Sequence, residues 1–406
     1  YSRFNDQNFS TSQFDPFYMG FGAVGHNSRS YDFYIINNGN EEFTINNWTT
    51  SDNQFHINYW DNDYSNEEIN NLDYLPIIIS PLSSSYINNE RNISLQYSAS
   101  ISGAASSVIT LSCSINDESY DTDLNLQGFG YDIPEDVINV PGDVPNIQFA
   151  LDFADWNDTI KVASGIYQEN LWMADKEIYL IGDNESWPTI KHNPMNGNYS
   201  VVEMYSTHNS LIKNFIITGG KGSWIGGDNG PEGDNYVGGA IRITIWDGHD
   251  QYSNPHTPRL ENLLIEGNSA GYGGGIFSRK SNPRINNCII QNNTTGEYGA
   301  EYGDRGIKGG GMDIMHSGGE HWTEIRNTKI VSNFAASSAA VHFFQNGENV
   351  LFENVLVADN NSQWGAAGIH CASSAIQMIN STIANNNSGN NTKPGGLYAS
   401  NYGGAT

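Results

Sequence analysis

Apolar residues and asparagines recur along residues 260–387 in one phrase. Asn262, Asn287, Asn327, Asn354 and Asn380 each stand two positions after an apolar residue: Leu260, Ile285, Ile325, Phe352 and Met378. Three positions later another apolar residue follows, Ile265, Ile290, Ile330, Val357 or Ile383, and six positions later a second asparagine, Asn268, Asn293, Asn333, Asn360 or Asn386. Between these phrases, runs of small residues lead into short apolar strands: Gly273–Ile276, Gly309–Met312, Ala339–Val341, Ala366–Ile369 and Gly395–Leu397. Fainter copies occur at Ile212–Asn214 and Gly238–Ile241. The first asparagines step by 25, 40, 27 and 26 residues, a period in the solenoid range with one long insertion. Runs this short, bounded by Gly, Asn and Ser, are strands and turns rather than helices. A coil of this length with two or three strands is a parallel β-helix, its coils stacked at about 4.8 Å. The pattern predicts that Asn262 to Asn380 form one internal ladder, in the left-handed conformation that asparagine tolerates. Glycine and alanine at the other corner allow a tight turn.

Before this region the period changes. From Phe17 the text changes, and strands alternate at Gly20–Gly25, Tyr31–Ile36, Phe43–Ile45, Phe55–Tyr59, Ile77–Ile79, Asn92–Ser98, Ser107–Ser114 and Leu124–Gly130, separated by Asn- and Gly-containing turns. That text predicts an antiparallel β-sandwich over residues 15–130. Residues 1–14 read as a polar segment or donor strand, 131–144 as a linker, and 145–406 as the β-helix, incomplete at its C-terminus. Ile147, Leu151 and Ala154 lie at helical spacing after Pro145, which predicts a helix covering the first coil.

Two resemblances follow from these residues. The phrase pattern from about Pro141 onward, with the first coil at Asp158–Val162 and Gly165–Asn170, resembles the right-handed parallel β-helix of the pectin-lyase-like superfamily. The opening Gly20–Gly25 phrase, the Asn37-Asn38-Gly39 turn, the Ile79-Ser80-Pro81 step and the closing Leu126–Gly130 phrase resemble the immunoglobulin-like domains called choice-of-anchor D. The first resemblance implies a solenoid on which acidic polysaccharides are cleaved or de-esterified. The second implies a spacer or adhesive unit with no catalytic residues. Gly165–Glu169 is similar to a pectinesterase phrase, but the later Asp-Phe phrase of those enzymes is absent, as are the polygalacturonase set and the Arg-x-x-Pro-x-x-Arg signature of pectate lyases.

Charge narrows the classes. Against 18 Lys and Arg stand 45 Asp and Glu, a net charge of −27, which argues against nucleic acid and anionic membrane surfaces. Calcium and neutral glycans remain compatible. No apolar run reaches the roughly 18 residues of a membrane span. Cys113, Cys288 and Cys371 are odd in number and widely spaced, and read as small buried residues.

Candidate chemistry sits on one row and in two insertions. One position past the apolar residue of each strand after the small-residue phrase, the side chain should face outward; this gives Arg242, Phe277, Asp313, His342, His370 and Tyr398. Asp313 beside His342 and His370, with Arg242, Arg279, Lys280 and His316 near, could act as acid and base or hold a metal, or be a solvated ladder. The insertions 219–258 and 294–322 supply Trp224, Trp246 and Trp322, and Trp364 follows in a later coil; these rings could stack on sugars or pin the loops. Asp228, Asp234, Asp247 and Asp250 could bind Ca2+ or be solvated acidic loops.

The reading is a secreted, extracellular or cell-surface, all-β structural or adhesive protein, with a polysaccharide or a neighbouring subunit as partner in a homo-oligomer or filament. A polysaccharide lyase or hydrolase acting on the coil face is the other reading. The chain starts at Tyr1 without Met, which reads as a processed or trimmed product, and it stops at Gly403–Thr406 in a fresh small-residue phrase. That ending predicts a longer protein, a final coil covered by a neighbouring copy with Phe4 and Phe9 as anchors, or simple truncation.

Overall fold

The computed structural model describes residues 17–25, 29–37, 40–59, 75–81, 90–225, 235–245, 256–296, 308–315, 321–347, 349–389 and 393–400. The expectations for residues 1–14 and for Gly403–Thr406 lie outside these. The chain divides into two compact units, Tyr1–Ile133 and Pro134–Thr406, and strands make up nearly all of the regular secondary structure among the described residues of both.

The first unit is an immunoglobulin-like sandwich. One sheet orders Phe17–Ala23, Glu118–Tyr131, Gly103–Ile115, Phe43–Thr50 and Ile77–Ile79; the other orders Arg29–Ile36, Glu90–Tyr97 and Phe55–Tyr59. All pairs are antiparallel except Phe17–Ala23, which runs parallel to Glu118–Tyr131. Alternation sends Phe55, Ile57, Leu95, Tyr97, Ile109 and Leu126 into one core cluster, and Phe43, Ile45, Ile77, Ile79 and Cys113 into another.

The second unit is a parallel β-helix. Its first strand, Val137–Val140, falls inside the expected linker 131–144 and pairs with Thr159–Val162, so that segment belongs to the solenoid. Helix Ile147–Phe153 packs against these strands with Ile147, Phe149, Ala150 and Leu151 buried. Its first backbone donors are satisfied by side chains: Phe149 N–H donates to Asn146 Oδ1 (2.8 Å), while Ile147 and Gln148 donate to the two carboxylate oxygens of Glu169 (3.0 and 2.9 Å). The Gly165–Glu169 phrase therefore anchors the capping helix.

Each coil then repeats. In the coil beginning at Arg259, strand Arg259–Glu266 bends at Asn262, a second bend precedes Asn268, the pair Ser269–Ala270 follows, and strand Ile276–Arg279 completes the turn. The bend residues Asn262, Asn287, Asn327, Asn354 and Asn380 have φ from 50° to 56°. Just before the second asparagines stand Gly267, Asn292, Ser332, Asp359 and Asn385, also left-handed, at φ 53° to 67°.

The internal ladder is the second asparagine series, which corrects the expectation. Asn268, Asn293, Asn333 and Asn360 are buried, and each donates through Nδ2 to Oδ1 of the next, at 2.8 to 3.1 Å, ending on Asn386. Their backbone N–H groups donate to the same oxygens. The first series also stacks, but on the outside: Asn287 donates to Asn262 (2.8 Å) and Asn354 to Asn327 (3.2 Å), while Asn327 reaches Asn286 instead (2.9 Å). At the small-residue corner a Cβ on Gly274 would fall 2.4 Å from the Thr294 carbonyl and 2.6 Å from that of Gly310, so only glycine fits.

Cys113, Cys288 and Cys371 are buried free thiols, as read from their spacing. Burial pushes the first two up to about 12 and Cys371 up to about 11.

Candidate functional site

The eight-stranded sheet of the solenoid sets the candidate residues in register. Leu171–Ala174, Val202–Tyr205, Ile241–Thr244, Ile276–Arg279, Met312–Met315, Val341–Gly347, Ile369–Ser374 and Leu397–Ser400 pair in parallel in that order. Their registered positions make one row, Trp172, Glu203, Arg242, Phe277, Asp313, His342, His370 and Tyr398. Two residues further along, on the same face by alternation, comes a second row that includes Tyr205, Met315 and Phe344. The inward residues just before the first row, Ile241, Ile276, Met312, Val341 and Ile369, are fully buried.

The expected row from Arg242 to Tyr398 is therefore contiguous, but its middle is not solvated. Phe277 and Met315 pack with Val237 and Tyr272 into an apolar cluster on the outer face, with Phe344 against it. Beside it Asp313 and His342 have 0% exposure and His370 has 8%.

His342 Nδ1 hydrogen-bonds Asp313 Oδ1 at 2.9 Å, and His342 Nε2 and Asp313 Oδ2 are buried with no hydrogen-bond partner among the described residues. His370 lies with its ring centroid 5.0 Å from that of His342. Its own nitrogens meet Ser338 Oγ (2.9 Å) and Ser400 Oγ (3.0 Å). Burial, reinforced by His342, Lys308 and Lys393, lowers its pKa to about 3, so the ring is neutral. Asp313 orients His342 as an acid–base pair would require, yet the pair is closed to solvent. Among the described residues no three His, Cys, Asp or Glu side chains converge to hold a metal.

At the first end of the row the surface opens. Trp172 is 43% exposed and stacks on Tyr205, with ring centroids 4.4 Å apart and planes at 24°. Arg242 also lies over the Tyr205 ring, its guanidinium carbon 5.0 Å from the centroid. Arg242 Nη1 also pairs with Glu203 Oε2 at 3.3 Å, both side chains nearly buried, and Ser223 donates to Glu203 Oε1. Burial raises the Tyr205 pKa, with Glu203 adding to it and Arg242 opposing.

The tryptophans singled out from sequence occupy separate elements. Trp224 projects from the hairpin Ser223–Ile225 and Asn235–Val237, edge-on to Tyr236 at 5.3 Å. Trp364 follows the short strand Asn361–Ser362 and is 59% exposed, and Trp322 is half-buried ahead of Thr323–Arg326. Trp246, His316 and the calcium candidates Asp228, Asp234, Asp247 and Asp250 lie outside the described residues.

Sequence reasoning missed Trp172, Glu203 and Tyr205, because these coils precede the clear asparagine phrases. The alternation in Leu171-Trp172-Met173 and Val202-Glu203-Met204 was the available signal.

No protein-family model matches the chain, and no curated protein does. Among solved structures, the PapD-like domain 7 of human CEP192, an ASH/PapD-like domain, is similar at 10% identity and a TM-score of 0.20, over 33% of this chain and 96% of that one. A likeness that low carries no argument. Among the described residues no helix is long and apolar enough to cross a membrane.

Proposed function

We propose that the chain is a secreted structural or adhesive module of a cell surface or filament, in which the β-helix displays loops and aromatic side chains to glycans or to a neighbouring subunit. On this reading the sandwich is a choice-of-anchor D-type spacer and the solenoid is a pectin-lyase-like β-helix used without its family's chemistry. One observation supports it most: the only acid–base pair set up on the coil face among the described residues, Asp313 and His342, has no solvent access, and His370 beside it spends both nitrogens on serines. Chemistry on a polymer needs its acid and base open to the strand being cut. Of the cations on that face, Arg242 is already paired with Glu203 and Lys393 lies over the Tyr398 ring.

The competing reading is a polysaccharide lyase or hydrolase. Incubating the full chain with polygalacturonate, pectin and neutral glycans separates the two, reading new reducing ends and ultraviolet-absorbing unsaturated products. The expected result is retention on solid polysaccharide or self-association without product. Product formation that disappears in D313N or H342A overturns the proposal.

A further inference from the structure

We propose that Trp172, Tyr205, Arg242 and Glu203 form a subsite for one neutral pyranose unit of a polysaccharide; this rests on the reading of the chain as a glycan-contacting surface module. The starting observation is an indole left open to solvent on a rigid strand. Gln148 holds the Trp172 backbone, accepting from its main-chain N–H through Oε1 (2.7 Å) and donating to its carbonyl through Nε2 (3.2 Å), and the Trp172 ring rests on Tyr205 at 4.4 Å. Tyr205 is in turn pressed by Arg242. An aromatic plane fixed before binding costs little conformational entropy when a ligand arrives, and its face suits the C–H side of a sugar ring.

The polar partners point to the ligand's chemistry. Glu203 lies directly across the strand pair from Trp172, and Arg242 directly across from Glu203. A carboxylate that accepts and a guanidinium that donates, one strand apart, match a pair of vicinal hydroxyls, which both donate and accept. Arg242 Nε–H is buried without an acceptor among the described residues.

Charge decides between neutral and acidic sugars. The Arg242 charge is matched by Glu203 at 3.3 Å, the Glu203 carboxylate stands between Arg242 and the indole, and the whole chain carries −27. A uronate on Trp172 would meet the Glu203 carboxylate, with the Arg242 charge already matched. A neutral pyranose meets no such penalty.

Affinity electrophoresis of the full chain through gels containing galactomannan, hydroxyethylcellulose or polygalacturonate tests this. Retardation by at least one neutral polymer and none by polygalacturonate is expected. Trp172→Ala should weaken retardation at least about tenfold, as losing a stacking anchor does, while Trp172→Phe keeps part of it. Circular dichroism of each variant checks that the fold is intact. The subsite is overturned if no neutral polymer retards the chain, if polygalacturonate retards it more, or if Trp172→Ala binds like the parent. In the last case the surface-module reading still stands, whereas polymer cleavage would overturn that reading whatever Trp172 does.

Discussion

Replacing Asn333 by alanine removes the middle rung of the internal ladder, and the cost can be worked from its bonds. The Asn333 amide donates to the Ile290 carbonyl at 2.9 Å and to Asn360 Oδ1 at 3.0 Å, and its oxygen accepts from Asn293 N–H at 3.0 Å and Asn293 Nδ2 at 3.1 Å. Asn293 Nδ2 keeps the Ile265 carbonyl, and Asn360 Oδ1 keeps the Asn333 backbone N–H. Two buried backbone groups bear the loss: Asn293 N–H, which loses its acceptor, and the Ile290 carbonyl, which loses a donor. At about 1–3 kcal/mol for each buried polar group left without its partner, N333A should destabilise the coil by about 2–6 kcal/mol. The control is N327A on the outer ladder. Asn327 is exposed, so water replaces its side-chain partners, and the cost is mainly that of placing alanine at φ 50°, about 1–2 kcal/mol. Because the chain has two units, a single melting temperature is not the right readout. Hydrogen exchange followed by mass spectrometry on peptides covering 285–295 and 350–362 reports the solenoid alone. Faster exchange in N333A than in N327A is expected; equal protection in the two variants would refute the assignment of the second series as the one that holds the core.

Other outcomes follow from the same geometry. H342A leaves the Asp313 carboxylate buried and unpaired and should cost about 3–5 kcal/mol, while D313A/H342A recovers part of that loss; a double variant no more stable than H342A, by denaturant titration, would contradict a coupled pair. His370 titrates at about 3 in the folded chain against 6.5 for a free imidazole, so below 6.5 the unfolded chain binds a proton that the native state refuses. Stability should therefore fall as pH drops from 6.5 toward 3, with no contribution above that window, and H370Q should flatten this slope in denaturant midpoints; an unchanged slope would count against the burial of this ring. Glu169→Ala frees the first N–H groups of helix Ile147–Phe153 and should raise exchange there by about 1–3 kcal/mol in opening free energy while leaving coils beyond Asn333 unchanged. Gly274→Ala forces a methyl to within 2.4 Å of the Thr294 carbonyl and should cost at least about 1–3 kcal/mol, read as lost protection of the strand Ile276–Arg279.

The sequence made the coil legible because its phrase is written in residues with unusual backbone demands. It did not reveal which asparagine faces inward, and the reason is local. Counting alternately from buried Leu260 puts Asn262 inside, but a left-handed residue breaks the alternation. Asn262 turns out, and its neighbour Leu263 becomes buried, as do Cys288, Thr328 and Val355 at the same place in later coils. A second left-handed residue, Gly267 in this coil, then turns Asn268 in. The row from Arg242 to Tyr398 could be read because no such bend lies within its strands up to the residues concerned. Its burial could not, since Val237 and Tyr272, which pack with Phe277 and Met315, come from elements whose contact depends on tertiary structure rather than spacing. The linker was misplaced because Val137-Ile138-Asn139-Val140 is one short strand among prolines and acidic residues, visible as solenoid only through its pairing with Thr159–Val162.

The longest step in the repeat, 40 residues from Asn287 to Asn327, leaves the internal ladder unbroken: Asn293 still meets Asn333, and Cys288 N–H still meets the hydroxyl of Thr328 at 3.3 Å, while the outer ladder changes partner to Asn286. Extra chain is absorbed between rungs without shifting the rungs. In engineering terms the internal ladder fixes an axial coordinate, advancing about 4.8 Å per coil, and sequence length is free to vary off that axis. A segment grafted between Thr295 and Lys308 would therefore arrive at a known height on the solenoid, one coil from a graft between Ser337 and Ala339. The solenoid can be treated as a graduated scale on which binding elements are placed by coil number.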